Sequence, residues 1–139
     1  MAASVKMFIA GGEHSANNYE FKQHILDGAY DILQPDIILG DVGITGMRKV
    51  AGMADYFSRM IVPHVCSAGS MALSLAATLQ ALGTTENCPM IEYPIDPPIL
   101  TAENQQSITT EPILVEKDGF VRIPDKPGIG IEINEAKLK

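Results

Sequence analysis

The sequence predicts an α/β fold: a parallel sheet of about four strands covered by helices, followed by an irregular C-terminal β segment. Two observations predict it. Over residues 5–94, short and uniformly apolar runs alternate with amphipathic stretches in the order β-α-β-α-β-α-β. From Pro94 onward that rhythm stops, and Pro97, Pro98, Pro112, Pro124 and Pro127 punctuate the chain. The natural division is therefore 1–94, the β/α units, and 95–139, an extension with its own hairpin.

Each element has its reason. Val5 to Ala10 is an apolar run ended by Gly11-Gly12 and reads as a buried strand. From Asn17 to Ala29, Tyr19, Phe21, Ile25, Leu26 and Ala29 recur near helical spacing, with Asn17 or Asn18 as the N-cap. Asp31 to Leu39 is a second strand, split or ended by Pro35, which has no N–H for the ladder. Thr45 is expected to cap a helix whose core face is Met47, Val50, Ala54 and Phe57. Met60 to Val65 is a third strand. Ser67 or Ser70 opens an Ala- and Leu-rich helix that Gly83 ends, and Met90 to Tyr93 is a fourth, short strand. Ile113 to Ile123 reads as a hairpin turning at Asp118-Gly119, and Pro127 to Gly130 turns the chain into a last extended piece, Ile131 to Ile133.

Composition excludes several function classes. The chain has 139 residues, 46% hydrophobic and 19% charged, which suits one cored domain and excludes wholesale disorder. Its net charge of −7 argues against nucleic acid and anionic membrane as partners. No apolar run approaches bilayer length, and Met1 to Lys6 lacks a secretory pattern. Cys66 and Cys88 do not make a disulfide scaffold, so a cytoplasmic setting is expected.

In parallel α/β architectures functional groups gather at the C-terminal ends of strands. Glu13, Asp36, His64 and Glu92 each lie at or near such an end. Each also has a plain structural role open to it. Glu13 would favour the positive end of the helix that follows. Asp36 after Pro35 is a natural turn former, and a lone His64 is most often satisfied by a backbone carbonyl. Glu92 is harder to dismiss, because a carboxylate in a buried strand needs a partner, a metal or solvent. Other features are weaker. The glycines of GDVGITG (Gly40 to Gly46) match no phosphate fingerprint, and Asp41 among them reads as solvated. Cys66 follows His64 by two residues, but no third group completes a nucleophile–base arrangement, and a buried inert thiol is the simpler reading.

Taken together, GGEH (Gly11 to His14), QPD (Gln34 to Asp36), GITG (Gly43 to Gly46), VPH (Val62 to His64), IEY (Ile91 to Tyr93) and the tail DGFVRIPDKPGIGIEI (Asp118 to Ile133) resemble the enolase superfamily. The similarity is to its mandelate racemase and muconate lactonizing branch, especially acid-sugar dehydratases. The motifs follow the family's order, and the Glu13-to-Asp36 interval of 23 residues fits one αβ step of that family. The resemblance implies a half TIM barrel made of the fifth to eighth strands, with a C-terminal segment that in the family returns to a capping domain. It implies Glu13 as a carboxylate ligand of Mg²⁺, His64 as general base or acid, Asp36 as the carboxylate that orients His64, and Glu92 as the acid at the substrate carboxylate or enolate. The implied chemistry is removal of a proton α to the carboxylate of a sugar acid, giving an enediolate that a hard divalent cation stabilises.

The family's remaining metal ligands, its second-strand lysine motif and its capping domain have no counterpart here. One glutamate does not hold Mg²⁺, which needs further carboxylates or a chelating substrate. Four strands with two open edges also invite pairing. The expectation is therefore a homo-oligomer, such as a dimer closing an eight-stranded barrel with the partner's His64 and the partner's Glu92 beside Glu13, or else a complementing N-terminal half. An inactive remnant that folds and self-associates, and a piece cut from a longer protein, are the alternatives.

Overall fold

A computed structural model describes residues 2–40, 42–66 and 71–138. Three short strands, β1 (Ala10–Gly11), β2 (Ile32–Leu33) and β3 (Met60–Ile61), form a parallel sheet in sequence order. Helix α1 (Asn18–Leu26) joins the first two strands, α2 (Gly43–Tyr56) joins the second and third, and α3 (Met71–Leu82) follows β3. This is repeated β-α-β winding, which sets every strand's C-terminal end on one rim.

The register explains how that rim is built. Ile32 pairs with Met60 and Leu33 with Ile61, and the same offset reappears at an isolated parallel bridge between Asp36 and His64. Between them Pro35 and Pro63, both fully buried, occupy matching positions. Proline has no N–H to give a ladder, so pairing lapses there and resumes beyond it. At the opposite end Asp31 ties the strands together. Its carboxylate accepts from the Ile9 N–H at 3.0 Å and from the Arg59 guanidinium at 2.9 Å.

The helices cover the sheet through one apolar cluster. Phe21 and Ile25 of α1, Leu33 and Ile61 of the sheet, and Met47, Val50, Ala51 and Ala54 of α2 are all buried together. Asn17 caps α1 as the sequence predicts, its side chain accepting from the Tyr19 and Glu20 N–H groups. Helix α2 differs from expectation: it starts at Gly43, ahead of Thr45, with Val42 at the cap position and no side-chain cap. Phe57 also differs, since it lies past the last helical turn and is half-exposed.

Two further expectations are corrected. Val5 to Ala10 is not a buried strand: the Ile9 carbonyl accepts from the Asp31 and Ile32 N–H groups, the strand itself is only Ala10–Gly11, and Met7 and Phe8 are 69% and 71% exposed ahead of it. Met90 to Tyr93 enters no ladder among the described residues. The Ile61 N–H donates to the Asn87 carbonyl at 3.1 Å, but Pro89 then removes a donor, and Ile91 and Tyr93 turn into a second apolar cluster instead. The half-helix cap predicted at Ser67 or Ser70 falls outside the described residues.

That second cluster binds the C-terminal segment to α3. Val65, Met71, Leu75, Ala76 and Leu79 pack with Ile113, Val121, Ile129 and Ile131. The buried Gln106 amide acts as a surrogate strand, donating to the Ile113 carbonyl and accepting from the Ile113 N–H, each at 2.7 Å. The Tyr93 hydroxyl donates to the same carbonyl at 2.8 Å. Burial pushes the Tyr93 phenol above its ordinary value, with the Gln106 amide partly offsetting that. The segment adds a short helix, α4 (Ala102–Gln105), capped by Thr101. Val115 and Val121 pair antiparallel about a turn at Gly119, where φ is +84°. Among the described residues no helix is long and apolar enough to cross a membrane.

Helix α2 ends on a residue that tests the local physics. Ser58 holds φ at +53°, while the Arg59 N–H reaches back to the Ala54 carbonyl at 2.8 Å. A left-handed residue after a helix is the glycine position, and a side chain there costs about 1 kcal/mol. Ser58→Gly is expected to raise stability by roughly 0.5–1 kcal/mol. Urea unfolding should show a higher midpoint at unchanged slope.

Candidate functional site

The sequence nominates Glu13, Asp36, His64 and Glu92, and parallel winding gives them a common edge to occupy. Glu13 sits in the turn after β1. The Ser15 N–H closes that turn onto the Gly12 carbonyl at 2.9 Å. Gly12 makes the turn possible, because its φ is +110° and a Cβ would meet the Phe21 ring at 2.9 Å. Glu13 and His14 are therefore the two central residues of a tight turn, aimed outward from the strand end.

Asp36 is the centre of the arrangement. Its side chain is wholly buried, and its hydrogen bonds to the described residues all come from nitrogen. Oδ1 accepts from the Ile38 N–H at 2.7 Å and the Leu39 N–H at 3.0 Å. Oδ2 accepts from the Cys66 N–H at 3.0 Å and faces His64 Nδ1 at 2.7 Å. An oxygen already accepting one N–H as a carboxylate accepts the second too, so Nδ1 carries the hydrogen and Nε2 is the atom free to exchange a proton. The same carboxylate also shapes the loop after β2, as an Asx turn does.

His64, with 20% of its side chain exposed, turns Nε2 toward Glu13 Oε2 at 3.4 Å. The other Glu13 oxygen lies 3.3 Å from Nε2 of His14, whose side chain is 82% exposed. Three of the nominated residues thus form one connected row, Asp36–His64–Glu13, running from a buried carboxylate to solvent. His14 extends it, a residue whose role the sequence reading passed over although it stands beside Glu13.

Glu92 does not join that row directly. It is exposed, so the cost of burying its carboxylate does not arise, and its Oε2 accepts from Gln34 Nε2 at 3.3 Å. Gln34 was also unforeseen as a site residue. Its signal was present: it precedes Asp36 by two, and alternate residues along a strand share a face. Cys66 contributes its backbone N–H to Asp36, while its side chain is buried.

The donor set does not fit Mg²⁺ in this chain by itself. Among the described residues no group of three or more His, Cys, Asp or Glu is placed to hold a metal. Glu13 is the single carboxylate of the row that reaches solvent, and its neighbours are imidazoles, whereas Mg²⁺ takes oxygen ligands in near-ideal octahedra.

Comparison with known proteins shows the family. Residues 1–137 match the profile of the enolase C-terminal domain-like family. D-galactarolactone cycloisomerase of Agrobacterium fabrum is 38% identical over 135 residues, covering 94% of this chain and 34% of that protein. D-galactonate dehydratase of Variovorax paradoxus is 32% identical over 143 residues, covering 99% of this chain and 35% of that protein. The crystal structure of an enolase from Agrobacterium radiobacter with Na and L-malate bound superposes with a TM-score of 0.81 at 26% identity, over 98% of this chain and 36% of that one. The chain spans about a third of the length of the curated relatives it matches.

Asp36 gives the subsection's test. In Asp36→Ala, the amides of Ile38, Leu39 and Cys66 and His64 Nδ1 lose their acceptor, for an expected loss of about 2–4 kcal/mol. Asp36→Asn should still cost about 1–2 kcal/mol, because one side of an amide can only donate and would face the Cys66 N–H. Urea unfolding of both variants checks the order. A cost below about 0.5 kcal/mol for both would remove Asp36 from the centre of the rim.

Proposed function

The chain belongs to the enolase C-terminal domain-like family, and on that premise we propose that it is the C-terminal catalytic portion of a sugar-acid dehydratase or isomerase. In this reading His64 moves the proton on the carbon next to the substrate carboxylate. The observation that carries it is the Asp36–His64 pair, a buried carboxylate holding an imidazole at 2.7 Å with the other ring nitrogen turned toward Glu13 Oε2 at 3.4 Å.

Each residue then has a task. Asp36 keeps Nδ1 protonated and fixes the plane of the ring, so that Nε2 is the atom that takes a proton from carbon or returns one to a leaving hydroxyl. Glu92, held by Gln34 at 3.3 Å, stands where it can bond the substrate carboxylate or the enolate oxygen when it carries a proton. Glu13 belongs to the cation that the enolase resemblance implies. Such a cation would supply positive charge for the enediolate oxygens, and of the Asp36–His64–Glu13 row Glu13 alone offers it a solvent-facing carboxylate.

The reading also implies an assembly. Residues 1–94 supply barrel units of half a TIM barrel, and 95–139 supply a strap across α3. The remaining strands and carboxylates come from a complementing N-terminal polypeptide or a second copy. The exposed Met7 and Phe8 beside the open edge of β1 support this, because such an edge is a pairing site. A cytoplasmic setting accords with two thiols that form no disulfide among the described residues. One observation favours the second reading, a folded remnant that turns nothing over: the lone solvent-facing carboxylate of the row just described.

Deuterium exchange separates the two. The protein is incubated in D₂O with Mg²⁺ and a panel of aldonic and aldaric acids, and exchange at the α-carbon is followed by NMR. The catalytic reading expects exchange that His64→Ala lowers by about 10²-fold or more. Exchange that is indifferent to that substitution, or absent both from the chain alone and after the N-terminal portion of a curated relative is added, establishes the remnant.

A further inference from the structure

We infer that this chain, folded by itself, does not hold a hard divalent cation at Glu13, and that the two imidazoles of His14 and His64 occupy that carboxylate instead. The inference rests on the proposed function only in taking Glu13 as the family's cation ligand; its content is how this chain treats that residue.

Three observations carry it. Both Glu13 oxygens already have nitrogen neighbours, His14 Nε2 at 3.3 Å on one and His64 Nε2 at 3.4 Å on the other. The other nominated carboxylates, Asp36 and Glu92, are committed elsewhere. Asp36 is wholly buried, with both oxygens accepting N–H groups, and Glu92 is tied to Gln34. Finally, imidazole nitrogen is a poor ligand for Mg²⁺, whose octahedron asks for oxygen at about 2.0–2.1 Å. A hard cation approaching Glu13 would meet one carboxylate and two nitrogen rings, and would keep nearly all its water.

The test reads the ring nitrogens rather than turnover. Long-range proton–nitrogen correlation spectra of the ¹⁵N-labelled 139-residue protein are recorded while MgCl₂ is added to about 10 mM, with NaCl at matched ionic strength as control. The expected result is no Mg²⁺-specific, saturable shift at His14, His64 or the Glu13 amide. Replacing the carboxylate in Glu13→Gln is expected to move the His64 ring signals while leaving those of His24, which bonds Ser15 instead, in place. Saturable one-site binding of Mg²⁺ with half-saturation below about 1 mM, lost in Glu13→Gln, overturns the inference. So does a Glu13→Gln protein whose amide spectrum shows it folded and whose His64 signals have not moved. Tight binding would count for the dehydratase reading while sinking this one. Absence of α-carbon exchange even with a relative's N-terminal portion added would sink the dehydratase reading and leave this one standing.

Discussion

The rim of this molecule depends on one buried carboxylate. Asp36 gathers the amides of Ile38, Leu39 and Cys66 together with the ring of His64. These four groups come from the loop after β2 and the run after β3, so a single side chain sets both loops and orients the ring between them. A carboxylate with no exposed surface is tolerable because each oxygen is met by N–H donors. Without it the two loops would have nothing in common beyond the interrupted ladder.

The interruption itself has a use. Pro35 and Pro63 sit opposite one another and carry no hydrogen, so backbone pairing stops short of the strand ends. Side chains take over where the ladder lapses, and the candidate site is drawn from that margin: Gln34 before the prolines, Asp36 and His64 after them. The second apolar cluster steadies the same margin from behind, since Val65 packs with Leu75 and Ile113. The C-terminal segment is in this sense part of the site's foundation although it supplies none of the row.

Much of this was legible in the sequence, for physical reasons that also mark where legibility ended. The α/β order followed from short apolar runs and helical spacing, and the cap at Asn17 from its side chain. The alignment of Glu13, Asp36 and His64 followed from parallel winding alone, since equal strand ends share an edge. What failed were inferences that treated an apolar run as proof of burial. Val5 to Phe8 reads as interior strand, yet it has no neighbour on its outer side in this chain. Met90 to Tyr93 reads as a strand, but Pro89 and the pull of Gln106 and Ile113 redirect it. Glu92 looked costly only because its surroundings were taken to be dry. Gln34 and His14 were passed over because what brings them to the site is position: Gln34 reaches Glu92 across the rim, and His14 shares the turn that carries Glu13.

The open side of β1 carries a hazard of its own. Lys6 stands between Val5 and Met7, and Phe8 follows, so one ammonium group guards a sticky stretch whose backbone has hydrogen bonds to offer. A surface of that kind does not choose its neighbour with care. Lys6 is the one charged side chain between Val5 and Phe8, so the protection of that stretch rests on a single cation.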